Sequence, residues 1–92
     1  MIDRQSVLYF GTDVHLEQWD EKGVLFHPAS QSTLLIDPIL YSALITIKNG
    51  PIALSDIVNG VSESNPIATD ACEEHLIDGF TRLYNDGIVS IR

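Results

Sequence analysis

At Asp37-Pro38 the spacing of the apolar residues changes, and that change limits the folds open to this chain. Before it, residues 14–20 alternate with the period of a pleated strand, and two short apolar runs bounded by turn residues follow. After it, apolar residues recur at helical spacing. The dipeptide is itself a helix start. The Asp37 side chain can accept from a free amide of the first turn, and Pro38 sits where a missing N–H costs nothing. Strands first and helices second predict an α+β domain.

Residues 14–20 alternate, with Val14, Leu16 and Gln18 on one face and His15, Glu17 and Trp19 on the other. Asp20-Glu21-Lys22-Gly23 reads as a hairpin turn, and Val24-Leu25-Phe26-His27 as a second strand stopped by Pro28. A turn over Ala29-Ser30-Gln31-Ser32 leads to a third strand, Thr33-Leu34-Leu35-Ile36. Short connections make these an antiparallel meander. Residues 1–13 form a separate piece. Its apolar run Val7-Leu8-Tyr9-Phe10 reads as a short strand or as a mobile arm.

Past Pro38, Ile39, Leu40, Ala43, Leu44 and Ile47 mark a helix that ends at Asn49-Gly50-Pro51. A second, short helix fits 54–61, followed by a polar loop over 62–69. The longest helix spans 70–86. Asp70 is expected as its N-cap, Glu73 completes a capping-box-like pair, and Gly87 stops it. Ile88-Val89-Ser90-Ile91 suits a final strand or wing. The two helices flanking residues 49–53 have helix-turn-helix proportions. The expected architecture is a winged helix-turn-helix with an N-terminal three-stranded antiparallel sheet followed by three helices, occupying 14–92.

The chain has 92 residues, room for one domain of roughly 100 residues. Five Lys and Arg face thirteen Asp and Glu, a net charge of −8. That field repels phosphate backbones and anionic lipid, so neither nucleic acid nor membrane is an expected partner. Cys72 is the only cysteine, which excludes an internal disulfide and favours a reducing, cytoplasmic setting. The first residues lack a signal-peptide pattern, and no apolar run approaches a membrane span.

Trp19, Val24-Leu25-Phe26-His27, residues 32–38, Leu44, the Asn49-Gly50-Pro51 turn, Leu54-Ser55-Asp56-Ile57 and the closing run 83–89 occur in one order with compatible gaps. Together they resemble the PqqD-like peptide chaperones, the RiPP-recognition-element-like winged helices, and within them the branch named for the HPr-kinase-related A system. The resemblance covers about three quarters of the chain and leaves residues 1–13 outside it. It implies a non-catalytic adaptor without a cofactor. Such an adaptor binds the leader segment of a precursor peptide beside its third strand and presents it to a modifying enzyme, in this branch often a kinase-like one.

The residues carry a site reading of their own. Thr33, Leu34, Leu35 and Ile36 form the candidate open edge, free of proline and charge, the devices that usually blunt an edge; a strand apolar on both faces could equally be buried under helices on both. On the last helix, Cys72, Leu76, Phe80 and Leu83 fall on one stripe assigned to the core. Ile77 and Tyr84 lie beyond that stripe, flanked by Glu73 and Thr81, and are the candidate second wall of a peptide groove. A wider core or a dimer contact would use the same residues. Glu73, Glu74 and Asp78 either steer a basic peptide toward that wall or are simply a solvated helix face. Gly79, which costs about 1 kcal/mol against alanine in a helix, either permits close approach of another backbone or is a neutral substitution.

No phosphate loop, HExxH or CxxC pattern occurs. His15 and His27 as cross-strand neighbours, joined by Cys72, are the one conceivable metal set. Two other functions fit the same fold. A DNA-binding winged-helix regulator would need a basic recognition helix, but 70–86 has Arg82 against Asp70, Glu73, Glu74, Asp78 and Asp86. A structural module would form a homodimer through the 33–36 edge or the 1–13 arm.

Overall fold

The computed structural model describes residues 2–20, 22–29 and 31–92. Glu21 and Ser30, expected in the two hairpin turns, lie outside the described residues. The fold is α+β, with a three-stranded antiparallel sheet followed by a three-helix, winged-helix-like bundle. That sheet is β2 (His15–Trp19), β3 (Lys22–His27) and β4 (Ser32–Ile36), in the order β2-β3-β4, as three short strands with short connections predict. The helices are α1 (Pro38–Lys48), α2 (Leu54–Ser64) and α3 (Thr69–Asn85).

The helix ends follow the sequence logic at Asp37, Asn49 and Gly87; they depart from it at the end of α2, which runs past Val61 to Ser64, and at the start of α3. Asp37 caps α1, its carboxylate accepting from the Leu40 amide at 2.9 Å. Gly87, at φ 78°, closes α3. Its N–H donates to the Tyr84 carbonyl at 3.1 Å and Ile88 N–H to Leu83 at 2.9 Å, a glycine-terminated helix end that turns the chain toward the last strand. At the start of α3 the expected capping box does not form. The N-cap is Ala68, Asp70 lies in the first turn, and Glu73 is drawn to Arg4 instead.

A second sheet was only partly anticipated. The run Val7–Phe10 is strand β1 and lies between β5 (Ile52–Ala53) and β6 (Val89–Ile91). β1 pairs Leu8 with both Ile52 and Ile91. The segment ahead of it is turned by Asp3, whose carboxylate accepts from the Gln5 and Ser6 amides at 2.9 and 3.1 Å. The turn aims backbone carbonyls at the start of α2. Leu54 N–H donates to Ser6 at 2.8 Å and Ser55 N–H to Arg4 at 3.1 Å. These bonds satisfy free amides at a helix whose N-cap, Ala53, has no side-chain acceptor.

The core joins the two sheets through the helices. Leu25 and Ile36 from the first sheet, Leu8 and Val89 from the second, and the α3 stripe Cys72, Leu76, Phe80 and Leu83 belong to one buried cluster with Leu40, Leu44 and Ile57. The four α3 residues assigned to the core are its buried residues.

Candidate functional site

β4 is hydrogen-bonded to β3 on one side and, among the described residues, has no strand on the other. Which of its groups face outward follows from register. Trp19 and Lys22 flank a two-residue loop, and the pair closing such a loop is a hydrogen-bonded one. Bonded and non-bonded pairs alternate along an antiparallel ladder. Val24 and Phe26 therefore bond toward β2, while Gly23, Leu25 and His27 bond toward Ile36, Leu34 and Ser32. Thr33 and Leu35 are left to aim N–H and C=O away from the sheet.

Side chains alternate as well. Ile36 is buried and Leu34 packs against the core, whereas Thr33 and Leu35 stand on the opposite face. Leu35 is 77% exposed. It shares that face with Phe26 and Trp19, beside a depression of about 430 Å³. The His15 ring stacks on Phe26 with centroids 6.3 Å apart, and Trp19 Nε1 donates to Glu17 at 3.1 Å.

Across the open edge of β4 lies α3. A cleft of about 80 Å³ separates them, with Leu34, Leu35, Ile36 and Asp37 on one side and Gly79, Arg82, Leu83 and Asp86 on the other. Leu40 of α1 forms part of its lining. An alanine methyl at Gly79 would come within 2.9 and 3.0 Å of the Leu40 δ-carbons, so the missing side chain lets α3 sit close over α1. At one end, His75 Nε2 meets the Asp37 carboxylate at 2.9 Å and ties α3 to the end of β4.

Partial burial pushes the Asp37 carboxyl upward. The Leu40 amide, the His75 hydrogen bond and charge, and the Ile39 amide together outweigh it and hold it below its ordinary 3.8. A carboxyl lowered on folding stabilises the native state above its unfolded value, and that contribution is lost as pH falls through the folded one. Asp37→Ala is therefore expected to lower unfolding stability by about 1 kcal/mol at pH 7. The gap between variant and wild type should narrow below pH 3.8. Urea titrations across that range check both; a gap that stays constant would remove the charge from the account.

The residues chosen from sequence for the second wall do not meet β4. The two flanks of the α3 core stripe are nearly opposite each other on a helix. His75, Gly79, Arg82 and Asp86 occupy the flank beside β4. Glu73, Ile77, Thr81 and Tyr84 occupy the other. Glu73 forms a two-pronged ion pair with Arg4, one bond of it 3.1 Å between Nη2 and Oε2. Ile77 is half-buried against the core, and Tyr84 is exposed. Thr81 Oγ1 donates to the Ile77 carbonyl at 2.6 Å, and both residues border a shallow solvent-facing depression with Glu74 and Asp78. A search for apolar residues beyond the core stripe selects this flank. The true neighbour of β4 is mostly polar, and its signal in the sequence is Gly79 at helical spacing from His75 and Asp86.

The conceivable metal set is not assembled. His15 pairs with Phe26 and His27 with Ser32, and Cys72 is buried in the core, where burial pushes its thiol pKa up. Among the described residues no three His, Cys, Asp or Glu side chains cluster as a metal site, and no helix is long and apolar enough to cross a membrane.

Fold and cleft together define a winged-helix-like domain whose antiparallel sheet ends at β4, in front of its last helix. A solved structure of this kind is that of TbiB1 in complex with the TbiA(beta) leader peptide. It superposes with a TM-score of 0.74 over 89% of this chain and 94% of that one, at 17% sequence identity. At that identity the likeness establishes the fold. No protein-family profile matches the chain, and no curated protein does.

Proposed function

We propose that this chain is a non-catalytic adaptor that captures a precursor or leader peptide as an added strand on β4 and presents it to a modifying enzyme. The observation that carries this reading is the open β4 edge, where the register turns the Thr33 and Leu35 backbone groups outward and Leu35 borders a cleft shared with Leu34, Ile36, Leu40 and Leu83. An extended peptide there gains ladder bonds from the backbone and selectivity from alternate side chains. The TbiB1 structure, of the same fold, holds a leader peptide, which supports the assignment. A single buried thiol suits work in the reducing cytoplasm.

The competing DNA-binding reading is poorly served by α3, whose one basic residue, Arg82, lies in the cleft among acidic neighbours on the same helix.

Proline substitution separates strand addition from mere surface adhesion. Proline is tolerated on an edge strand where the lost N–H faced solvent. Leu35→Pro removes an outward N–H and is expected to leave the fold intact while abolishing binding of peptides selected from a displayed library of random dodecapeptides. Amide exchange at Thr33 and Leu35 in the wild type should slow when such a peptide binds. Peptides that bind Leu35→Pro as tightly as wild type would refute capture at this edge.

A further inference from the structure

The cleft between β4 and α3 contains a charge that runs against the acidity of the whole chain. Its lining includes one Lys or Arg, Arg82, set among Leu34, Leu35, Ile36, Leu40 and Leu83. The other charged groups there differ in state. Asp37 is engaged by the Leu40 amide and by His75, while Asp86 lies one turn along α3 from Arg82. Arg82 has no ion-pair partner among the described residues, whereas Arg4 is paired with Glu73 through two nitrogens. An unpaired guanidinium beside an open strand edge, with apolar walls around it, is a ready acceptor for one carboxylate of a guest peptide.

On these grounds, and resting on the peptide-capture reading above, we propose that the site selects an extended peptide with apolar residues at alternate positions and one Asp or Glu side chain placed to pair with Arg82. This reverses the preference that the acidic residues of α3 suggested. Glu73 is consumed by Arg4, and Glu74 and Asp78 border a depression on another side of the helix. The net charge of −8 acts on the encounter of a distant peptide and is screened beyond roughly 8–10 Å at ordinary ionic strength. The contact with Arg82 acts at hydrogen-bonding distance, beside the apolar side chains that line the cleft. Asp86 beside it limits the acidity a guest can carry, so a single carboxylate is favoured over an acidic run.

Selection from a phage-displayed library of random dodecapeptides against the wild-type protein, followed by affinity measurement on the chosen peptides, tests the assignment. Enrichment of one acidic residue is expected. Arg82→Glu should weaken those peptides about tenfold, and exchanging the peptide's acid for Lys should restore binding to that variant. Because an acid near the end of a helix is itself unfavourable, Arg82→Gln is measured alongside and should lose affinity without loss of fold. Peptides that perturb the Thr33 and Leu35 amides yet bind Arg82→Glu within twofold of wild type would overturn the charge selection and leave strand capture standing. A selection that yields no peptide perturbing those amides would overturn both.

Discussion

Leu8→Ala is expected to remove about 3–4 kcal/mol of stability, a large share of what a domain of this size possesses. Leu8 is fully buried and occupies the middle strand of the β5-β1-β6 sheet, paired with Ile52 on one side and Ile91 on the other. Removing its side chain opens a cavity bounded by two strands of the same small sheet, which leaves little freedom for collapse. The consequences reach the helices. β5 runs directly into α2, whose first amides are held by the Ser6 and Arg4 carbonyls, and β6 follows α3. The denaturant midpoint should fall steeply with a nearly unchanged slope. A loss below about 1 kcal/mol would mean that β1 is a dispensable addition to an otherwise complete domain.

That expectation sets apart what the sequence showed from what it concealed. The β2-β3-β4 meander was legible because β2 alternates, β3 and β4 are short apolar runs, and each connection carries turn residues. The helices were legible because Asp37-Pro38, Asn49-Gly50-Pro51 and Gly87 punctuate them. β1 was ambiguous for a physical reason: its partners are a two-residue strand and a three-residue strand far along the chain. Pairing of that kind leaves no periodic signal, and Ile52-Ala53 looked like the turn between two helices. The cap of α2 was hidden in the same way, since it uses backbone carbonyls of Arg4 and Ser6 rather than a side chain at the helix start.

The candidate site divides along a similar line. The edge residues Thr33, Leu34, Leu35 and Ile36 could be chosen from composition, because an edge without charge or proline is recognisable locally. The facing flank of α3 could not, because it is decided by which side of the helix turns toward β4. Two contacts show this. Asp37 meets His75, and Arg4 meets Glu73, so the helix presents opposite flanks to the end of β4 and to the N-terminal segment. Sequence reasoning weighted apolar side chains and selected Ile77 and Tyr84. The cleft instead uses a glycine, an arginine and a leucine of the core stripe.

The close packing of α1 on β3 yields the second large effect. Gly23 lies under Tyr41, and an alanine methyl there would come 2.7 Å from Tyr41 Cγ and 2.8 Å from its Cβ. Turning the tyrosine ring cannot relieve this, because Cβ is fixed to the helix backbone. Gly23→Ala must therefore lift α1 from the sheet, at an expected cost of about 2–3 kcal/mol, larger than the fraction of a kcal/mol alanine returns by stiffening the unfolded chain. The double variant with Tyr41→Ala should recover only part of the loss, since the Cβ contact persists. The same displacement acts on the cleft. Gly23 pairs with Ile36 at the end of β4, and α1 bears both Leu40 of the cleft lining and the amide that holds Asp37. Peptide affinity should consequently fall in Gly23→Ala even under conditions where the protein remains folded. A variant that unfolds at the wild-type midpoint and binds unchanged would show that α1 is free to slide on the sheet, and the cleft would then owe its shape to α3 alone.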